Sequence, residues 1–374
     1  MKKGIFYIPV YKQEKKLSDI IDEILTTIKY GDKNNISEAF FGEHLSDKHE
    51  KIASSLMMVA SASVVTNKIK LGTLTSNLNF YNPAISAAQI SLADNLSKGR
   101  LLLGIGSGAN NSDKESVGCL EKNNHPLMLE AYKIVKKILY GKNFSIISSK
   151  NYTVSVAKSK NKKLGLGYFN KLYNDRKNLE VLMPALGENS YNVKLCAQNN
   201  WSIMISNFCS EEIIENHIDR YLTFSKLKKS HALKKIKISK LIFISNEKNI
   251  EKYLISNRSP HFYVVKTIFE KLKAFNRHKC FGKNVNTPEE AAKSTVLYGN
   301  EKKGKKFMDK FFFGYLSLKW RRLVRTIFIV IACIWVILSG IRGYIIEIIV
   351  ALSLSIALPI LISYLVEPFV RKQH

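Results

Sequence analysis

Acidic side chains are scarce in this sequence: 30 Asp and Glu stand against 58 Lys and Arg among 374 residues, a net charge of +28. Such an excess attracts nucleic acid or anionic lipid by Coulomb forces alone. Yet the lysines are dispersed through nearly every helical stretch beside abundant Asn, a general compositional bias. No recognition helix and no aromatic-plus-basic sheet motif is present, so nucleic acid is not an expected partner. Cysteine is sparse as well. Cys119, Cys196, Cys209, Cys280 and Cys333 form no Cys-x-x-Cys pair, which excludes a zinc ribbon and a disulfide framework and suits a reducing cytoplasm. The opening MKKGIFYIPV holds only a short apolar run, broken by Pro9 and followed by Lys12 and Glu14. It is expected to form a strand, not a signal peptide.

Long, strongly apolar runs occur only at the C-terminal end. LVRTIFIVIACIWVILSGI, residues 323–341, and YIIEIIVALSLSIALPILISYLV, residues 344–366, flank a Gly-Ile-Arg-Gly turn. Each approaches or exceeds the roughly 20 residues that a bilayer core requires, so a two-helix transmembrane hairpin is expected, with a short tail, over 323–374. Lys319, Arg321 and Arg322 precede the first run, Arg325 lies at its start, and Arg371 and Lys372 follow the second, against Arg342 at the turn. That asymmetry predicts a cytoplasmic membrane location with the large basic domain on the cytoplasmic side and lipid as a partner. The preceding 299–322, with Phe311, Phe312, Phe313, Tyr315 and Trp320 among cations, suits a linker or a segment at headgroup level.

In the remainder, short runs rich in Ile, Val and Phe alternate with stretches of helical period. Strands are predicted at 4–9, 38–43, 69–76, 101–106, 179–185, 202–207 and 236–245. Helices are predicted at 16–30, 51–66, 83–97, 125–140, 189–199, 211–227 and 248–274. Consecutive βα units of this kind favour a (β/α)8 TIM-barrel-like α/β fold over an open doubly wound sheet. Chemistry is then expected just after the strands, and the polar excursion 142–178 is expected to be a lid or insertion above that rim.

After the second strand, Glu43 and His44 bring an acid and an imidazole to the rim, where a histidine can act near neutral pH as base or donor. His49 is five residues on, without a third ligand, so no metal site is expected. Asp94-Asn-Leu-Ser97-Lys-Gly99-Arg100 leads into the fourth strand, which ends in the glycine-rich Gly104-Ile-Gly106-Ser107-Gly108. By itself this glycine pattern is a weak phosphate signal, because a dinucleotide fingerprint needs further spacing.

Together these features resemble the bacterial luciferase-like, flavin-dependent monooxygenase family. Its members carry a Glu-His pair after strand two and an Asp-x-x-Ser-x-Gly-Arg stretch entering strand four. Leu71-Gly72-Thr73-Leu74-Thr75, the fifth-unit run from Leu182 through Glu188-Asn189-Ser190, and Asn286-Thr287-Pro288-Glu289-Glu290 are similar to further family motifs. The resemblance covers roughly residues 1 to 295. It implies a barrel over 1–298 and reduced FMN as cofactor, supplied by a separate flavin reductase. The implied partners are molecular oxygen, a small hydrophobic substrate of aldehyde, terpene or alkane type, and a second copy of the chain.

On the same basis His44 falls on the catalytic histidine and Leu74-Thr75 on a non-proline cis bend behind the flavin ring. Glu43, Gly106 and Ser107 fall beside the cofactor, and Glu188, Asn189 and Ser190 at its phosphate, where a helix N-terminus is a natural seat. Ser107 stands where many members carry arginine, and Leu45 replaces a frequent second histidine. No eighth unit is apparent after Glu290, so the barrel is expected to lack its last unit. Its open edge would then be covered by 306–318, a partner subunit or the membrane. A deazaflavin-dependent oxidoreductase, a non-catalytic flavin- or partner-binding barrel, and a basic membrane adaptor remain as alternatives.

Overall fold

A computed structural model describes residues 3–299 apart from 9, 142 and 245–248. The chain divides into two compact units, residues 1–241 with 251–296, and 242–250 with 297–374. The strands are β1 Gly4–Tyr7, β2 Glu38–Phe41, β3 Lys70–Thr73, β4 Ser76–Asn77, β5 Leu101–Gly106, β6 Ile146–Ser148, β7 Thr153–Ser155, β8 Glu180–Ala185, β9 Ser202–Ile205, β10 Ile236–Ile238, β11 Leu241–Ile244 and β12 Val296–Gly299. The helices are α1 Leu17–Lys33, α2 Ser55–Val64, α3 Pro83–Leu96, α4 Asn111–Ser116, α5 Asn124–Tyr140, α6 Tyr191–Gln198, α7 Glu211–Phe224, α8 Lys229–Leu233, α9 Ile250–Leu254, α10 Pro260–Ala274 and α11 Pro288–Thr295.

The first unit is built on one parallel sheet in the order β1-β2-β3-β5-β8-β9-β10, with β4 paired to β5. Helices cover its outer face, where Ile20, Ile24 and Ile28 of α1, Val59 of α2, Ile90 of α3 and Val135 of α5 are buried in one core. Inward-facing Phe40, Leu74, Leu102, Leu182 and Met204 form a second, smaller cluster. Two apolar layers on opposite faces are what a TIM-barrel-like sheet requires. An ion pair across the interior reveals the curvature. Lys237 Nζ of β10 donates to Glu38 Oε2 of β2 at 2.6 Å and lies 3.4 Å from Glu180 Oε1. Because β3, β5, β8 and β9 separate β2 from β10 along the sheet, only a curled sheet brings these side chains together.

Among the described residues no strand joins β10 to β1, so an eight-stranded ring is not observed and the sheet is a curled half-barrel. The expected seventh strand is broken: β10 stays in the sheet, whereas β11 pairs with β12 in a separate two-stranded sheet belonging largely to the second unit. Between them Lys240 Nζ is tied to Cys209 O at 2.8 Å. The long helix expected at 248–274 is also divided, because Ser259 caps α10 by accepting from Phe262 N, with Pro260 in the first turn.

The excursion at 142–178 is not a lid. Its β6–β7 hairpin leads to Lys171, whose carbonyl accepts from Ser91 Oγ and Asn95 Nδ2, and to Arg176, which pairs with Asp94. Those partners lie in the last turns of α3, and Arg176 Nη2 also reaches Leu101 O at the start of β5. The insertion is therefore anchored at the N-terminal ends of the strands, opposite the rim. Gly99, with φ of +77°, makes the intervening tight turn.

The expected membrane location is overturned. No helix among the described residues is long and apolar enough to cross a bilayer; α1 and α5, at 17 residues each, are amphipathic with lysines along them. The segments read as linker and hairpin, from residue 300 onward, lie outside the described residues.

Asp94 is fully buried, and its carboxylate receives Arg176 Nε at 3.0 Å, a second contact from Arg176 Nη2, and Tyr173 N at 3.0 Å. Removing one partner of such a pair strands a buried charge, at a cost of about 3–5 kcal/mol. Arg176→Met is expected to lower unfolding stability by about that amount in urea titrations. It should also make 142–178 sensitive to limited proteolysis, with Asp94→Asn in the same chain recovering part of the loss.

Candidate active site

The rim above the curled sheet is organised by a buried acid. Glu43, just past β2, accepts through Oε2 from Ser55 N at 2.9 Å and Ser55 Oγ at 2.7 Å, and through Oε1 from Asn77 N at 2.8 Å. Both oxygens are thus committed to protein, and Glu43 braces the site from behind. Burial raises its pKa against the opposing pull of these donors. Through Asn77 the brace extends further: Asn77 Oδ1 accepts from Thr75 Oγ1 and from Gly108 N, each at 3.0 Å. The third-strand bend and the glycine rim are thereby locked to each other.

At the bend the Leu74–Thr75 peptide is cis, as the family resemblance implies. Leu74 turns into the interior cluster while Thr75 is half-buried. Behind it Gly106 leaves no room for a side chain, since an added Cβ would stand 2.1 Å from Thr75 Oγ1. Ser107 follows, half-buried, with its carbonyl accepting from Asn79 Nδ2 at 3.2 Å.

His44 is half-buried beside this bend, and its backbone N–H donates to Ile52 O at 2.8 Å. Its Nδ1 lies 3.0 Å from Asp113 Oδ2, and its Nε2 lies 3.6 Å from Glu50 Oε1. Asp113, at 1% exposure, also accepts from Ser46 N at 2.9 Å and Ser46 Oγ at 2.6 Å. Burial would raise the Asp113 pKa, but the bonds from His44 and Ser46 outweigh it and hold the carboxyl down at about 2. Burial would likewise lower the His44 pKa, yet Glu50, Asp113 and Asp47 outweigh it and raise the imidazole above its ordinary value. With Asp113 fixing Nδ1 as the donor nitrogen, Nε2 is left to exchange a proton. Asp47 and Glu50 are both held by Lys271 of α10.

The residues expected at a phosphate sit after β8, the strand beside β5. Glu188 offers its carbonyl to Arg220 Nη1 at 3.2 Å, and its carboxylate lies 3.6 Å from Lys283 Nζ. Asn189 is exposed, and Ser190 precedes α6 without spending its hydroxyl on a cap bond. Two peptide-chain cations thus stand by this loop although Ser107 supplies none.

Glu43, His44, the bend and the rim are the site candidates that the sequence pattern points to. Asp113, Glu50, Lys271 and Arg220 are not among them. Asp113 lies five residues past Gly108 on α4, directly after β5, a position that could have marked it; nothing in the pattern singles out a lysine on α10. No group of histidine, cysteine or acidic residues suited to a metal occurs among the described residues.

Because the folded His44 pKa is raised, its ion pairing contributes stability that is fully present below about pH 6.5, the unfolded value, and is lost as pH rises through the folded value. Asp113→Asn should move the His44 titration to lower pH in NMR spectra of the ring protons. An unchanged midpoint would mean that Asp113 does not set the charge of His44.

Residues 1–158 match the family described as luciferase-like monooxygenase. Limonene 1,2-monooxygenase of Rhodococcus erythropolis is 30% identical over 138 residues, 37% of this chain and 36% of that protein. 2,5-Diketocamphane 1,2-monooxygenase 1 of Pseudomonas putida is 24% identical over 238 residues, 59% of this chain and 61% of that protein. The chain thus spans between about a third and three fifths of the length of these curated relatives. Among solved structures, the oxygenating constituent of 3,6-diketocamphane monooxygenase from Pseudomonas putida, a type II Baeyer–Villiger monooxygenase in complex with FMN, superposes with a TM-score of 0.70. It is 19% identical, with 82% of this chain and 86% of that one covered, a likeness of fold. Apart from Lys271, every partner found around His44 lies within residues 1–158, the stretch that matches the luciferase-like monooxygenase family.

Proposed function

We propose that this chain is a flavin-dependent monooxygenase that uses reduced FMN and molecular oxygen on a small hydrophobic substrate of cyclic terpenoid type. A separate flavin reductase is the proposed source of the reduced cofactor. The observation that carries the reading is His44, paired with Asp113 and facing Glu50 in the loop after β2, the strand that pairs with β3, which leads into the cis bend at Leu74–Thr75. Reduced FMN supplies the electrons that activate oxygen.

The residues at the rim have the chemistry to hold such a group. Leu74 and Thr75 offer a rigid backing for a planar ring, braced by Glu43 through Asn77. The Ser190 hydroxyl, the Asn189 amide and the first-turn N–H groups of α6, with Arg220 nearby, suit a phosphomonoester dianion. Gly106 and Ser107 leave the rim low between these two regions. Beneath the bend, Phe40, Leu102, Leu182 and Met204 fill the interior and exclude water. His44 then holds a proton at Nε2 for the oxygen atom that reacts, while Asp113 keeps the ring oriented. The relatives named for limonene and diketocamphane support a terpenoid substrate over a linear aldehyde.

A homodimer is part of the same proposal. Met57 and Val64 on α2 are 71% and 73% exposed, and Ile85, Leu92 and Leu96 on the adjoining α3 are exposed as well. Seven-residue spacing puts each set on one helix face, an apolar stripe that a second copy would cover. Light scattering should give twice the chain mass, and Val64→Asp should shift it to the monomer.

Titration with reduced FMN under anaerobic conditions, followed by oxygen-dependent turnover of a monoterpene or bicyclic ketone, tests the activity. His44→Ala is expected to lower turnover by about 100-fold or more while FMN binding persists. Absence of flavin binding at micromolar concentration would remove the reading. Binding without turnover would favour a flavin-binding module, and preference for a deazaflavin without oxygen uptake would favour the oxidoreductase alternative.

A further inference from the structure

Helix α10 meets the loop after β2 at two points along one face. Tyr263 Oη lies 2.8 Å from His49 Nδ1 and donates to Tyr11 O at 3.3 Å. Two turns further on, Lys271 Nζ donates to Asp47 Oδ2 and, at 2.8 Å, to Glu50 Oε2. The other Glu50 oxygen, Oε1, is the one that stands 3.6 Å from His44 Nε2. A single carboxylate is therefore divided between a lysine of the returning chain and the histidine at the rim.

We infer that Lys271 is a positioning residue for His44: it fixes the Glu50 carboxylate and, through it, limits how tightly His44 holds its proton. The role in turnover rests on the monooxygenase reading above, whereas the coupling itself does not.

The balance of charge around His44 is lopsided. Glu50 and Asp47 face it from its own loop, Asp113 from α4, and Glu43 adjoins it in the chain. Lys271 is the cation that hydrogen-bonds two of these acids. The Glu50 and Asp47 side chains are 7% and 8% exposed and that of Lys271 is 22% exposed, so their interactions are little screened by solvent. Removing the lysine charge would leave Asp47 and Glu50 repelling each other and their combined field acting on the imidazole. Both effects favour a protonated His44.

Lys271 is placed to do this by the fold. Its helix follows β10, yet its contacts are with loops that leave β1 and β2, across the open side of the curled sheet. The state of the His44 proton thus depends on whether α10 is seated. A clamp with no electrostatic role would alter stability and leave the titration of His44 unmoved.

The experiment uses the full chain without flavin, so that it does not depend on turnover or on FMN binding. The His44 ring is titrated by NMR in the wild type, Lys271→Arg, Lys271→Met and Glu50→Gln, with circular dichroism to check folding. The midpoint is expected to move to higher pH in K271M, to lower pH in E50Q, and to stay close to wild type in K271R. Should K271M not fold, Lys271→Gln takes its place, since it keeps a donor for both acids without the charge, and the same upward movement is expected. A folded K271M or K271Q protein with an unmoved His44 midpoint overturns the inference. If flavin binding fails while the midpoints move as stated, the coupling stands and the proposed activity falls.

Discussion

The buried carboxylate of Glu43 is the constraint around which the rim is arranged. Its three hydrogen bonds go to the start of α2 and to β4, adding to the direct bonds by which Phe41 O and Ser55 Oγ meet the bend at Leu74 N and Thr75 O. A charge removed from water needs such a full set of donors, or it neutralises or destabilises the fold. Once Glu43 is satisfied by protein, it is no longer available to a ligand. The adjoining His44 is left as the titratable group at the rim, and the two neighbours serve opposite ends: one holds the scaffold still, and the other is held in a chosen charge state.

Charged pairs recur as the means by which distant strands are related. Lys237 with Glu38 and Glu180 ties β10 to β2 and β8 across the interior. Arg176 with Asp94 secures the insertion under β5. Lys271 with Asp47 and Glu50 joins α10 to the loop after β2. Each pair is largely shielded from water, so each is costly to break, and each connects segments far apart in sequence. In a sheet that does not close by strand pairing among the described residues, such links take over part of the work that ring closure performs in a complete barrel.

Much of this was legible beforehand. Alternation of short Ile- and Val-rich runs with helical periods placed β1 to β10 of the main sheet nearly at their observed positions, because parallel strands covered by helices must be apolar and crossover helices must be amphipathic. The bend at Leu74–Thr75 and the glycines after β5 were legible through family resemblance, since backbone shape there demands particular residues. The break in the seventh strand was not. Residues 236–245 read as one apolar run, yet the chain leaves the sheet after Ile238, and β11 pairs instead with β12.

The sequence by itself determined the order of strands and helices, the identity of the rim histidine and the glycines that let β5 approach the bend, because these depend on local period and on steric demands at single positions. Only the tertiary structure decided what surrounds His44. Asp113 and Glu50 reach it from α4 and the loop after β2, and Lys271 of α10 holds Glu50 in turn; the field they create is a sum over distances that chain order does not encode. The tertiary structure also placed the 142–178 insertion at the far end of the strands. The partners of Arg176 and Lys171 lie on α3, and nothing in a polar loop specifies which end of a barrel will bind it.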